Sequence, residues 1–582
     1  MKNYKKVYAA FILAGGLILH GCNGIFDDLA INPNQPSMGA YFTSPSAVND
    51  AVKTMYGYMS TQRCLGASGS KTTIIRSDEA SSNSDYGKPG MFGADLNASY
   101  YTIEQPYTLM YTTASQASYI IETAPSVDFS GNEELRNAYM GEAYFWRAFA
   151  HYYLLINFRN ISPIRQMPRN GDDYVRPLEK PAAVWNFIQE DLAHAKELLP
   201  VKGYWDSKNA GRVTKASAAA LLGKAYLYRS GIEQYYGEDK TTFYSEAAKE
   251  FGDVIDGKYG TYDLTKNYAD NFDVAHENNE ESILEFQFLG DVDNAGFNPG
   301  LATSGLAFDS RGLMLPGAGV GYEGVVHNWL YNAFVNSVDK DGYTDIRMFS
   351  TMIFNDLDAS IHLRNDAGGN LVRLEGPGGY KWEELYPAKN GKEGFATVSN
   401  PLAHSFKAGI RKGIDCSMPT QTEADGTPKL VGVGAGVKEY VYNQPRAHGV
   451  NWRYIRYADV LMMYAEAVVS GGTQASNMTP LQAVNKVRGR VNMSELPSVT
   501  MTDIQNERIL EFALEGHRFY DLLRWGKLAS RFTELQESDP NFKKFISADD
   551  FKGFVTNKHE WLPIPINEVN SNPYITENNP GY

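Results

Sequence analysis

Apolar residues recur at a spacing near 3.6, or close around the segment entirely, over residues 47–60, 107–122, 133–158, 182–199, 215–230, 243–255, 454–470 and 480–491. Each stretch reads as a helix with at least one buried face. Two stops are plain: Pro163 follows the third helix and Pro200 the fourth, and proline cannot continue a hydrogen-bonded helical turn. The fifth helix carries Ala216, Ala218, Ala219, Ala220, Gly223 and Ala225, small side chains that let a neighbouring helix come close. Leu222-Gly223-x-x-Tyr226 followed by Ala247-x-x-x-Phe251 has the small-and-aromatic spacing of a tetratricopeptide helix pair, with a lengthened link through 231–244. Tyr464-Ala465-Glu466-Ala467 followed by Ala483-x-x-x-Val487 is a looser second instance. The repeat is degenerate, which keeps an unrelated helical bundle open.

Between 289 and 450 the pattern changes. Glycine clusters occupy 312–324, 368–379 and 426–436, helical spacing survives only over 325–336, and short alternating pieces at 370–374 and 439–442 read as small strands. A loop region of this length in a compact protein implies a role, and loops on a rigid frame are where binding residues concentrate. A second polar, aromatic-studded stretch, 66–101, interrupts the helices near the N-terminus. Before the first helix the pattern is that of an export signal: Lys2, Lys5 and Lys6, an apolar run over 7–19, then Leu19-His20-Gly21-Cys22. The apolar run is shorter than the ~20 residues a spanning helix needs. Residues 23–36 are turn-rich and read as a tether. The expected organisation is a signal peptide at 1–21, a tether at 22–40 and one domain over 41–582. Within that domain, a helical frame (41–288 and 451–530) holds a loop-rich region (289–450), with a tail at 531–582.

The 582 residues are 43% hydrophobic and 13% aromatic, enough for a large core, and the 38 tyrosines supply rings that also carry a hydroxyl. A net charge of −14 excludes a nucleic-acid backbone as partner, because such binders need a basic footprint. Three cysteines, Cys22, Cys64 and Cys416, make neither a disulfide framework nor a zinc site; Cys64 and Cys416 either pair or stay free. Catalytic motifs are missing: no H-E-x-x-H, no G-x-S-x-G and no phosphate loop. Ser68-Gly69-Ser70-Lys71 fits S-x-x-K without its companion motifs. The adjacent pairs Asp172-Asp173 and Asp549-Asp550 point apart and read as surface charge. Asp291-x-Asp293-Asn294-x-Gly296 opens like a calcium loop, but Ala302 stands where the closing glutamate belongs. His151, inside an apolar helix, reads as a core residue. No metal, cofactor or catalytic group is expected.

The densest pattern of all is 504–528, IQNERILEFALEGHRFYDLLRWGKL. Glu507, Glu511, Glu515, Arg518, Asp521 and Arg524 follow at steps of three and four, which predicts one helix with a ladder of ion pairs on one side. Its order E-R-x-L-E-F-x-x-E-G-x-R-x-x-D-L-x-R-W resembles the C-terminal signature of the SusD/RagB family of Bacteroidetes nutrient-binding lipoproteins. Gly141-Glu142-Ala143-x-Phe145-x-Arg147-Ala148, Asp191-Leu192-x-x-Ala195, Gly211-Arg212-x-Thr214-Lys215 and Arg456-Tyr457-Ala458-Asp459-Val460-Leu461 resemble further family motifs in the family's order. So do Leu562-Pro563-Ile564-Pro565 and Asn579-Pro580-Gly581-Tyr582. The sequence around Cys22 resembles a lipobox, with His20 where a small or β-branched residue is usual; ordinary secretory cleavage near Gly21 is the other reading.

The resemblance implies a mainly α, tetratricopeptide-type superhelix with an irregular loop-rich half and a few short strands. It implies lipidation at Cys22, an outer-membrane cell-surface location, and capture of oligosaccharide for a SusC-like TonB-dependent transporter. A peptide-binding, RagB-like role is the alternative, and an exported hydrolase a more distant one. In the family the ligand platform is built from the loop after the early helices and the glycine-rich stretch before the mid-chain helix. Carried onto this sequence, that nominates Tyr322, Tyr86 and Phe308, with Asp85, Asn83 and Arg311 as polar partners. Trp329 falls in the predicted helix and reads as core.

Overall fold

The computed structural model describes residues 42–61, 63–66, 69, 71–82, 96–169, 171–288, 308–309, 323–354, 359–364, 407–412, 424, 430–433, 437–440, 447–448, 450–539 and 554–582. The early frame consists of α1 (Pro45–Ser60), α2 (Tyr101–Thr123), α3 (Glu133–Phe158), α4 (Pro181–Leu198), α5 (Lys215–Tyr236) and α6 (Tyr244–Ile255). Then come α7 (Asn328–Val335), α8 (Arg347–Thr351), α9 (Tyr457–Val469), α10 (Pro480–Arg490), α11 (Met501–Glu511), α12 (Arg518–Arg524), α13 (Leu528–Ser538) and α14 (Ile566–Ser571). Their starts follow from local chemistry. Asn132 accepts from the Leu135 N–H at 3.1 Å with Glu133 and Glu134 in the first turn of α3, and Thr214/Ser217, Thr479/Gln482 and Thr500/Asp503 close capping boxes on α5, α10 and α11.

Helices adjacent in the chain pack on one another from α2 to α6, and α6 then packs on α9 and α9 on α10. The result is the tetratricopeptide-type superhelix. Gly223 is where the repeat motif acts: a methyl group there would lie 2.7 Å from the Phe251 ring, so only glycine lets α5 and α6 approach this closely. At Gly141 the same added carbon would lie 2.9 Å from Leu199. The expected helix over 454–470 starts only at Tyr457, because Trp452–Arg456 is a strand, β10, paired antiparallel with β2 (Ser282–Phe286). That ribbon puts Phe286 and Tyr454 onto Phe149 of α3, with ring centroids 5.7 and 5.2 Å apart.

Residues 504–528 are not one helix. Chain direction changes after Glu511: Leu514 (φ 60°) and Gly516 (φ 85°) take left-handed conformations that a continuous helix forbids, and α12 begins at Arg518. The expected ladder is therefore replaced by pairs to distant segments. Glu507 meets Arg347 at 2.6 Å and Arg488 at 2.5 Å; Glu511 meets Arg456 at 2.6 Å, Arg347 at 3.0 Å and also Arg490; Glu515 meets Arg456 and Lys412, each at 2.8 Å. Arg508 joins Asp459 and Asp521, both at 2.8 Å, and Arg524 joins Asp521 and Glu466. Further motif residues pair likewise: Glu142 with Arg212 at 2.6 Å, and Arg147 with Asp191 at 2.7 Å. Arg347 and Arg456 are fully buried. Burial works to lower the Arg456 guanidinium, but three carboxylates outweigh it and hold it charged. His151 is a core residue as expected: its Nε2 accepts the Ile164 N–H at 2.9 Å, and burial pushes its ring down to about 3.

The loop-rich half contributes short strands. β1 (Ala80–Ser82), β4 (Glu323–Val326), β6 (Ala408–Ile410) and β5 (Met352–Phe354) form an antiparallel sheet in the order β1-β4-β6-β5. β3 (Phe308–Asp309) pairs with β9 (Ala447–His448), and β7 (Leu430–Val433) with β8 (Val437–Tyr440), which overlaps the strand expected at 439–442. The strand expected at 370–374 and the calcium-like loop at 291 lie outside the described residues, as does Cys416; Cys64 is a buried free thiol.

Candidate functional site

Cys22, Asn83, Asp85, Tyr86, Arg311 and Tyr322 lie outside the described residues, while Phe308 is the first residue of β3, opposite His448. What the structure describes is the mount on which these segments sit. β1 ends at Ser82, immediately before the segment carrying Asn83, Asp85 and Tyr86, and β4 begins at Glu323, immediately after Tyr322. Ser82 and Glu323 are paired across the β1–β4 ladder, with a bulge between Ser81 and Ser82. Consecutive Cα atoms are ~3.8 Å apart and paired strands ~5 Å, so the two nominated segments are attached to the same edge of the same sheet. Ser82 and Glu323 are 241 positions apart in the chain.

The mount is held rigidly from below. Within the polar stretch 66–101, Lys71–Ile75 is a π-helical turn, and Arg76, Ser77, Asp78 and Glu79, immediately before β1, are all buried. The Asp78 carboxylate accepts from Arg518 at 2.9 and 3.1 Å and from Arg531 at 2.7 Å. Its main-chain carbonyl accepts from Trp329 Nε1 and lies 2.8 Å from His327 Nδ1, at the start of α7. Trp329 is thus in a helix as expected but only half-buried, with the Arg531 guanidinium 4.3 Å over its ring. The His327 N–H also donates to the Glu79 carbonyl at 2.9 Å. β1 and α7 are locked together at both ends of the Asp78-Glu79 pair.

The two neighbouring acids have opposite electrostatics. Burial works to raise the Asp78 carboxyl, but Arg518 and Arg531 outweigh it and hold it below the usual carboxylate range. The Glu79 carboxylate accepts the Leu514 N–H at 2.9 Å and a bond from Ser77 Oγ at 3.2 Å, and burial outweighs these and the pull of Arg518 and pushes it up to about 8. Leu514 is the left-handed residue at the break between α11 and α12. The break therefore exists, in part, to present a backbone donor to the base of β1. Asp78-Glu79 was the missed site-bearing motif. Its sequence signal is an acidic pair that follows the apolar Ile74-Ile75 after Arg76 and Ser77.

Among the described residues Asp78 is paired with Arg518 and Arg531, and no cluster of His, Cys, Asp and Glu has the arrangement of a metal site. What the mount does is bring loop segments of distant sequence to one edge and fix their roots.

Comparison with known proteins agrees with this architecture. The SusD family model matches residues 423–582, and a second model, described as starch-binding and associating with the outer membrane, matches 32–227. A SusD-like protein of Bacteroides ovatus is 24% identical over 532 residues, covering 90% of this chain and 83% of its own. Among solved structures, a SusD superfamily protein from Bacteroides vulgatus superposes with a TM-score of 0.68 at 22% identity, covering 93% of this chain and 100% of that one. A laminarin-binding SusD-like protein superposes at 0.59 with 23% identity over 93% of this chain and all of its own.

Proposed function

We propose that this chain, which belongs to the SusD/RagB family, is a glycan-binding protein of the outer membrane that captures oligosaccharide on the loops rooted at the β1–β4 edge. The observation that carries the reading is the Ser82–Glu323 pairing, which roots the two aromatic- and amide-bearing segments side by side. Sugar rings present apolar C–H faces that stack on Tyr and Phe, while their hydroxyls pair with Asn, Asp and Arg. Tyr322, Tyr86 and Phe308, with Asn83, Asp85 and Arg311, supply that combination without any catalytic group. Laminarin binding by a relative of the same fold supports the ligand class. Lipid on Cys22 anchors the protein at the cell surface, and a SusC-like TonB-dependent transporter receives the cargo. Differential affinity between its open and closed forms drives the transfer.

The test is titration calorimetry of the mature protein with laminarin and xyloglucan oligosaccharides. Tyr322→Ala and Tyr86→Ala are each expected to weaken binding about tenfold, the loss of ~1.4 kcal/mol of stacking, with the melting temperature unchanged. Unaltered affinity in both variants removes the edge as the site. Binding of peptides in place of glycans favours the RagB-like role, and turnover of the oligosaccharide by the purified protein favours a hydrolase.

A further inference from the structure

A separate cleft of about 400 Å³ opens between α2, the segment at 162–176 and α14, and it shares no residue with the strands that root the loops. That volume falls within the ~300–1,000 Å³ of small-molecule sites. Its inner wall is aromatic and stiff. Tyr107 and Tyr111 pack in tilted contact along α2 with centroids 4.8 Å apart, Tyr107 meets Phe158 edge-on at 4.9 Å, and the Tyr111 hydroxyl accepts the Ser162 N–H at 3.1 Å. The outer wall is tied to the same frame, because the Ile566 N–H donates to the Ala98 carbonyl at 2.8 Å and Asn572 Nδ2 to the Arg176 carbonyl at 2.9 Å. The cleft is preformed.

Its polar groups are unevenly matched. Glu104, which accepts the Asn567 amide, Asp173, which accepts the Arg169 N–H at 2.7 Å, and Glu568 bring three carboxylates to the lining against one guanidinium, that of Arg176. Among the described residues Arg176 donates one long bond to protein, Nη1 to the Pro163 carbonyl at 3.4 Å, and Glu568 accepts the Asn572 amide at 3.0 Å on one oxygen. The Thr112 and Ser571 hydroxyls donate back into their own helices, at 2.9 and 2.7 Å, and so face the space as acceptors. An occupant must therefore offer several donors, one acceptor for Arg176 and an apolar face for the tyrosines. Three carboxylates repel an anion, a compact cation offers the Arg176 guanidinium no acceptor, and an apolar ligand would desolvate four charges without return. A hydroxyl both donates and accepts, so a polyol ring meets every condition.

We propose that this cleft is a second carbohydrate subsite that takes one or two neutral sugar residues, independently of the loops at the β1–β4 edge. The ligand class rests on the cleft's own walls. The experiment uses the mature full-length protein with cellobiose, xylobiose and glucose as probes, read by saturation-transfer NMR and titration calorimetry. The samples are wild type, Tyr86→Ala/Tyr322→Ala, and Arg176→Gln and Glu568→Gln in both backgrounds. Saturation transfer to at least one sugar persists in Tyr86→Ala/Tyr322→Ala and falls about tenfold in affinity when Arg176 or Glu568 is neutralised, the loss of one charge-assisted hydrogen bond. Circular dichroism melts stay superimposable, since neither side chain holds the fold. Loss of all sugar binding in Tyr86→Ala/Tyr322→Ala overturns the subsite and leaves the loop site standing. Binding that ignores Tyr86 and Tyr322 but falls with Arg176→Gln does the reverse. Undiminished binding in Arg176→Gln and Glu568→Gln, or preferential binding of ethanolammonium over every sugar, overturns the proposal.

Discussion

Asp78→Asn tests whether the mount is held by charge rather than by shape. The replacement keeps the side-chain volume and leaves the main-chain carbonyl free to serve His327 and Trp329. It removes the anion that faces Arg518 and Arg531, both within 3 Å of the carboxylate. Breaking a buried pair from one side costs ~3–5 kcal/mol, because the partner charge stays in the core. Arg531 is partly exposed and also meets Glu534 at 3.0 Å, so the lower end applies, about 3 kcal/mol. Unfolding entropy of ~2.1 cal/mol/K per residue gives ~1.2 kcal/mol/K for the whole chain, so the melting temperature falls by only ~2–3 °C if the chain melts as one unit. The pH dependence is the sharper readout. Asp78 titrates below the usual carboxylate range in the folded protein, so its contribution is present above ~3.9 and is lost as pH falls through the folded value. The gap between wild type and Asp78→Asn is therefore full at neutral pH and closes in acid. Melts followed by circular dichroism across this range decide it: coincident curves at neutral pH, or a gap that stays constant into acid, would refute the charge argument.

Three further outcomes follow from other buried groups. Glu79, pushed up to about 8, binds its proton more tightly folded than unfolded, so stability falls between ~4.3 and about 8; Glu79→Gln, which still accepts from Leu514, flattens that decline in a pH series of melts. Gly223→Ala gains up to ~1 kcal/mol of helix propensity but forces a carbon to 2.7 Å from Phe251, an overpacking cost of ~1–3 kcal/mol, so a net loss is expected in chemical denaturation and a net gain would sink the close-packing account. His151→Phe strands the buried Ile164 N–H at a cost of ~1–3 kcal/mol. Because the ring is held neutral down to about 3, that penalty is full above ~6.5 and shrinks as pH falls toward 3 in the same melting assay.

Periodicity was a good guide where a helix has neighbours on most sides. The expected 133–158 coincides with α3, α6 and α10 differ from expectation by one residue at one end, and α4 is shifted by one residue at both. It failed at 504–528 for a definite reason. Steps of three and four place charges on one helical side, yet Glu507, Glu511 and Glu515 are spaced to meet Arg347, Arg456, Arg488, Arg490 and Lys412, which arrive from other elements. No local pattern names a partner 59 or 160 residues away. Gly516 was the visible clue to the break, and Leu514 gave none. The site was less legible still, because loop residues obey no period; only the ladder pairing of Ser82 with Glu323 relates segments that sequence reading nominated separately.

The same pairs explain why the family motifs are where they are. Glu142 answers Arg212, Arg147 answers Asp191, Asp459 answers Arg508, and Glu466 answers Arg524, so motifs that look like independent signatures are two halves of buried ion pairs. Each half alone would leave an uncompensated charge in the core, so neither half can be lost singly without a cost of ~3–5 kcal/mol. The C-terminal signature has one further attachment. Its Arg518 holds Asp78 and its Leu514 N–H holds Glu79, the two residues immediately before β1. The signature thereby fixes the root of one proposed binding loop, and through the β1–β4 ladder the root of the other. If that is the signature's role, Arg518→Met weakens oligosaccharide binding beyond what its loss of stability accounts for, measured well below the variant's melting temperature, whereas Arg147→Met, which breaks a comparable pair between α3 and α4, lowers stability and leaves affinity intact. Equal affinity in both variants would reduce the signature to a brace of the frame alone.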